Sequence, residues 1–179
     1  MHAVSQRARS CIGHVSGRLN GVTMTILLLG KTGQVGWQLQ RSLAPHGSVQ
    51  ALGRRDLDLG DGHRVRRLVR QIRPRIIVNA AAVTATGADL AAAEARWPVN
   101  AVLPGVLAEE ALALDALLVH FSCAGVFAGH KGGPYDEDDR PDSDDAQGQS
   151  KAAGEAAIAA AGGKALIFRL GWVFGARGD

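Results

Sequence analysis

Lys151 stands in the run DDAQGQSKAAGE, residues 144–155, where the pattern predicts the first turns of a helix, with Ser150 beside it and Gln147 one turn earlier. Residues at i and i+4 share a helix face, so the lysine ammonium acidifies an ionisable partner at 147. Glutamine offers a hydrogen bond but gives up no proton near neutral pH. A second cluster is GKTGQVG, residues 30–36, set between an all-apolar stretch and a helical one. Its glycines recur every third residue. Gly30 permits a sharp turn, Gly33 a close backbone approach to a diphosphate, and Gly36 tight helix–strand contact. Lys31, Thr32, Gln34 and Val35 complete the loop, whose N–H groups at the helix start face the phosphates. The chemistry predicted here is dinucleotide binding.

Which dinucleotide is decided at the end of the next predicted strand. The run ALGRRDLDL, residues 51–59, places Arg54 and Arg55 where an acid would accept from the 2′-hydroxyl of NAD. Arginines there accommodate the 2′-phosphate of NADP, so NADPH is the expected cofactor and NADH the alternative. Asp58 and Leu59 are expected to neighbour the adenine.

The elements that must position these residues alternate regularly. Apolar runs predict strands at 25–30, 48–52, 75–82, 116–122 and 164–170. Helices are expected over about 35–43, 62–72, 87–96 and from Pro98 to about 114, and again from Lys151's turn to about 161. Strand and helix in alternation with short links predict an α/β fold, a Rossmann-like doubly wound parallel sheet in one domain over 24–179. Residues 1–23 carry arginine, serine and glycine without an acid or a clear period. They read as a disordered leader, with Met24 as the natural start; an organellar transit peptide is the alternative.

Composition closes off other classes. The chain has 179 residues, 46% of them apolar and only 4% aromatic, which suits tight helix–sheet packing better than a β-sandwich. No apolar run reaches the ~18 residues a membrane span requires, so the protein is read as soluble and cytoplasmic. Cys11 and Cys123 supply neither a disulfide framework nor a metal-ligand spacing, and no metal is expected. The arginines at 64, 66, 67, 70 and 73 surround an amphipathic helix without interleaved aromatics, so they are expected to form a solvated face rather than a nucleic-acid site. Trp37, Trp97 and Trp172 are expected to pack in the interior.

Taken together, ILLLGKTGQVGWQLQ, RRDLDL, IIVNAAAVTA, PGVLAEEA, GPYDEDD, SKAAGE and IFRLGWVFGARGD closely resemble the dTDP-4-dehydrorhamnose reductase family of the extended short-chain dehydrogenase/reductase superfamily. The resemblance runs from about Met24 to Asp179. It implies NADPH-dependent reduction of the 4-keto group of dTDP-4-dehydro-L-rhamnose, or of another nucleotide sugar, to give dTDP-L-rhamnose for cell-surface polysaccharide. It also leaves room for a homodimer. By resemblance Lys151 is catalytic and holds the nicotinamide ribose, Ser122 shares the catalytic site, and Asn79, Ala80, Ala81, Ala82 and Asn100 lie by the cofactor.

The sequence also departs from the family. Its Tyr-Gly-x-Ser-Lys segment becomes Gln147-Gly148-Gln149-Ser150-Lys151, and its STDYVFDG becomes SCAGVFAG, so that Cys123 replaces a threonine that helps hold the substrate carbonyl. Val83 replaces a further tyrosine. The part that closes over the sugar nucleotide has no counterpart after Asp179. Loss of a positioned acid lowers a rate by ~10²–10⁴, so weak or absent reduction is expected. Tyr135, in the acidic PYDEDD loop, is not expected to substitute. The alternatives are a non-catalytic NADP-binding regulatory or scaffold protein of the same fold and a decayed gene copy.

Overall fold

A run such as TILLL has no polar face to turn toward water, and a strand made of it must be covered on both sides. In the computed structural model, which describes residues 18–19, 22–84 and 90–175, that strand lies inside the sheet, with a neighbour on each side. A short antiparallel pair, β1 (Arg18–Leu19) and β2 (Val22–Thr23), precedes it. The end of the expected leader is therefore paired backbone, while residues 1–17 lie outside the described residues. Then come β3 (Thr25–Leu29), α1 (Gln34–Leu43), β4 (Ser48–Leu52), α2 (Gly62–Ile72) and β5 (Ile76–Asn79). The second half supplies α3 (Leu90–Trp97), α4 (Leu103–Ala113), β6 (Leu117–Cys123), α5 (Ala146–Ala161) and β7 (Ala165–Leu170).

The five main strands are all parallel, in the order β4-β3-β5-β6-β7. The chain leaves β3 toward one edge and returns past it to build the other. The crevice at the carboxyl ends of β3 and β5 is thus the switch point at which such sheets take their ligands. On one face Leu27, Leu29, Ile77 and Leu118 pack against Val65 and Val69 of α2, Leu107 of α4 and Ile158 of α5. On the other face Ile26, Leu28 and Val78 meet Leu39 and Leu43 of α1. Farther along that second face Phe168 stacks on Phe121, centroids 5.7 Å apart, and stays 47% exposed.

Two details depart from the sequence reading. Pro98 does not open a new helix. Residues Pro98–Val102 form a π-helical turn that joins α3 to α4, and the wider turn carries Asn100 into the interior. The arginine-rich α2 is also only partly a solvated face. Arg66 Nη1 and Arg70 Nη2 reach Glu110 at 3.1 and 2.7 Å, and Glu110 is buried on α4. Hydrogen bonds from Arg70 first, and then Arg66, hold the Glu110 carboxyl below its usual pKa despite burial.

Candidate active site

A cavity of about 1210 Å³ opens at the switch point, between the glycine loop after β3, the segment after β5, the end of β6 and the start of α5. The loop is shaped by steric necessity at two of its glycines. Gly30 has φ 87°, and a Cβ there would lie 2.6 Å from the Ala80 carbonyl carbon; a Cβ on Gly36 would lie 2.1 Å from Gly30 O. Gly33 differs. A Cβ there meets no protein atom nearer than 3.6 Å, and the residue is exposed on the cavity wall. Packing does not demand glycine at 33, whereas a ligand lying against the backbone does. Gly33 also starts α1 without any side-chain cap, and the first turn holds no acid. The N–H groups at this helix start are left for an anion.

Gly30, Thr32, Gly33, Gln34 and Val35 line the cavity, and Gly36 lies behind them. Lys31 is not on the wall; its Nζ pairs with Asp56 Oδ2 at 2.7 Å. That bond, with the Gly53 N–H at 2.8 Å, lowers the Asp56 pKa, the Lys31 hydrogen bond contributing most. Of the two arginines after β4, Arg54 lines the cavity and Arg55 does not. Asp58 and Leu59 also line it, and Asp58 Oδ1 accepts from the Gly60 N–H at 2.9 Å.

At the other end Ser122, Cys123, Gln147 and Lys151 come together on the wall. Asp145 caps α5, its carboxylate accepting from the Gly148 N–H at 3.0 Å, and this fixes the helix start that carries Gln147 and Lys151. Lys151 Nζ donates to Phe121 O at 2.7 Å and is 3% exposed. Burial lowers its pKa, against smaller upward pushes from Cys123 and Glu155. Gln147 Oε1 and Ser122 Oγ are buried without a partner among the described residues. Tyr135, the chain's only tyrosine, is elsewhere: it stacks on Phe127, centroids 4.1 Å apart, and its hydroxyl accepts from the Lys131 N–H.

Ala80, Ala81 and Ala82 line the cavity as the chain leaves β5, whereas Asn79 and Asn100 lie behind the wall and brace it. Asn100 Oδ1 accepts from Val83 N at 2.9 Å, and its Nδ2 donates to Val83 O and to Ser150 Oγ. Ser150 in turn donates to Gln147 O at 2.8 Å, so one side chain ties the exit of β5 to the start of α5. The close fit needs Gly154, since a Cβ there would fall 2.2 Å from Asn100 O. Asn79 Oδ1 accepts from Ala81 N, which turns its Nδ2 toward His120 Nδ1 at 3.1 Å. The imidazole proton is therefore on Nε2, which has no partner among the described residues. Burial first, and the Lys151 charge second, push the His120 pKa down to about 3.

From sequence Val83 stood out only as a replaced tyrosine, and the role of His120 was hidden in an apolar strand. Trp97 and Trp172 are corrections: they are 56% and 93% exposed, because α3 ends at the surface and residues 171–173 run along the open rim of the cavity. Among the described residues no cluster suits a metal ion, and no helix is long and apolar enough to cross a membrane.

The sequence model of the RmlD substrate binding domain matches residues 24–179. This chain belongs to that family. It is 45% identical over 155 residues to the dTDP-4-dehydrorhamnose reductase of Burkholderia thailandensis, covering 87% of this chain and 52% of the relative. To the Escherichia coli K12 reductase it is 40% identical over 160 residues, covering 87% and 54%. It also superposes on the solved dTDP-4-dehydrorhamnose reductase of Bacillus anthracis in complex with NADP with a TM-score of 0.81 and 29% identity, covering 88% of this chain and 57% of that one. The chain therefore spans about half the length of the RmlD-family relatives it matches.

Proposed function

We propose that this chain is the dinucleotide-binding part of a dTDP-4-dehydrorhamnose reductase, acting with NADPH on the 4-keto group of dTDP-4-dehydro-L-rhamnose, and that its catalysis is slow. The supporting observation is a single cleft with an uncapped helix start and bare Gly33 at one end and Lys151 at the other. The loop around Gly33 would hold the diphosphate, and Arg54 a 2′-phosphate. Lys151 would hold the nicotinamide ribose. When bound, the reduced nicotinamide supplies hydride to the ketone carbon. The oxygen must then be protonated, and the residue facing it across one helical turn from Lys151 is Gln147, which orients a carbonyl but delivers no proton.

NADPH titration followed by substrate-dependent NADPH oxidation tests this reading. Wild type is expected to bind NADPH and turn over slowly, and Gln147→Tyr is expected to gain ~10²-fold or more. Failure of the folded protein to bind NADPH overturns the reading. Equal rates in the two proteins overturn the role given to residue 147. The glutamine itself favours a second reading, a regulatory protein that binds NADP without reducing anything; binding without turnover in either protein would select it.

A further inference from the structure

We propose that Lys151 is itself the proton donor of this cleft, a role that rests on the reductase reading above and replaces the acid missing at 147. The geometry narrows the candidates. Tyr135 is outside the cavity, and Asp58 lines its adenosine end, away from Ser122, Cys123 and Gln147. Lys151 lines the reactive end, and its hydrogen bond to Phe121 O leaves two of the three ammonium protons free to face the cleft.

Burial favours proton release and outweighs the opposing pull of Cys123 and Glu155. From β6 it faces the Cys123 thiol and His120, whose ring is neutral at working pH. From its own helix it faces Glu155, which Arg169 of β7 holds by a two-pronged contact, Nη2 to Oε2 at 2.7 Å. No carboxylate is hydrogen-bonded to the amine among the described residues, and burial favours its neutral form. In the step, carbon gains a pair of electrons as hydride from a reduced nicotinamide, and the carbonyl π pair moves to oxygen. An N–H bond of Lys151 breaks as the O–H bond forms. The neutral amine is then reprotonated from water in the open cleft.

Two readouts on the full chain test this. The ¹³Cε resonance of Lys151, in lysine-labelled protein and assigned by its loss in Lys151→Arg, is expected to titrate below 10.5, the ordinary lysine value. Turnover with NADPH and dTDP-4-dehydrorhamnose is expected to fall with rising pH at that same midpoint. Lys151→Arg keeps the charge but holds its proton throughout, and should lose turnover by ~10²-fold or more. In Gln147→Tyr the rate should cease to follow the Lys151 midpoint. A midpoint at or above 10.5 overturns the proposal. So does wild-type turnover unaffected by Lys151→Arg, or none at all when NADPH binds; in these cases the cofactor assignment stands. Absence of NADPH binding overturns both.

Discussion

Asn79 Nδ2 donates to His120 Nδ1 across 3.1 Å, joining two neighbouring parallel strands by a pair of side chains that water does not reach. Because the amide oxygen is already taken by the Ala81 N–H, neither group can turn around. The imidazole is held neutral beside the Lys151 ammonium, behind the part of the cavity wall that Ser122 and Lys151 line.

This pair gives the fold a pH dependence of known sign. Unfolded, His120 takes up a proton below its ordinary value of 6.5; folded, it refuses one until about 3. Its contribution to stability is therefore complete above pH 6.5 and is lost as pH falls through that window, at up to ~1.4 kcal/mol per unit. Urea unfolding between pH 7 and 5, where carboxylates stay ionised, should show this slope in wild type and a flatter one in His120→Leu. Equal slopes would refute it.

The glycine loop separates folding from binding. Gly36→Ala puts a methyl against Gly30 O and should cost about 3 kcal/mol or prevent folding. Gly33→Ala makes only an ordinary contact, 3.6 Å from Gly30 O, and should change stability by less than about 1 kcal/mol. It should nevertheless weaken NADPH binding by ~10-fold or more, because the methyl projects where the diphosphate approaches. Calorimetry on the two variants checks this, and an unaltered affinity in Gly33→Ala excludes a ligand at that backbone.

Inner strands were legible because a parallel sheet buried on both faces leaves unbroken apolar runs, as at Ile26–Leu29, and the partly exposed edge strand Ala165–Leu170 was legible from its ALIF run. The glycine loop was legible because its spacing answers to geometry. The π-turn was not, since Pro98 opens an α-helix as readily as it enters a wider turn, and the turn's close approach to Gly154 is a tertiary contact. Lys31 and Arg54 look alike in a sequence, yet only Arg54 lines the cleft, because Asp56 draws Lys31 aside. A tryptophan, likewise, does not announce that residues 171–173 run along an open rim.

Asn100 acts on the cleft without touching it. Asn100→Ala leaves the Val83 N–H and carbonyl unpaired and should cost about 2 kcal/mol. Hydrogen exchange at the Val83 amide should quicken well before global unfolding. Exchange as slow as in wild type would show that the bond does not hold this segment.

Glu110 depends on its two arginines. With Arg66→Ala and Arg70→Ala together, its carboxylate stays buried without a counter-ion, at a cost of about 2 kcal/mol near pH 7, discounted because Arg70 is largely exposed. In wild type its carboxyl is held below 4.5, so the pair's stabilisation is present above that pH and lost as pH falls below it. In the double variant the carboxyl instead gains from protonation. The stability gap between the two proteins should therefore narrow on acidification, and a constant gap in unfolding experiments at pH 7 and 4 would refute this.

The bare backbone at Gly33 bears on descent. Serine, threonine or aspartate would begin the following helix better, and nothing in the surrounding protein crowds them out. A lineage released from holding a ligand is free to drift to one of them and gain stability by doing so. Glycine at this position thus forgoes a sounder helix start, a loss that a ligand against this backbone would account for.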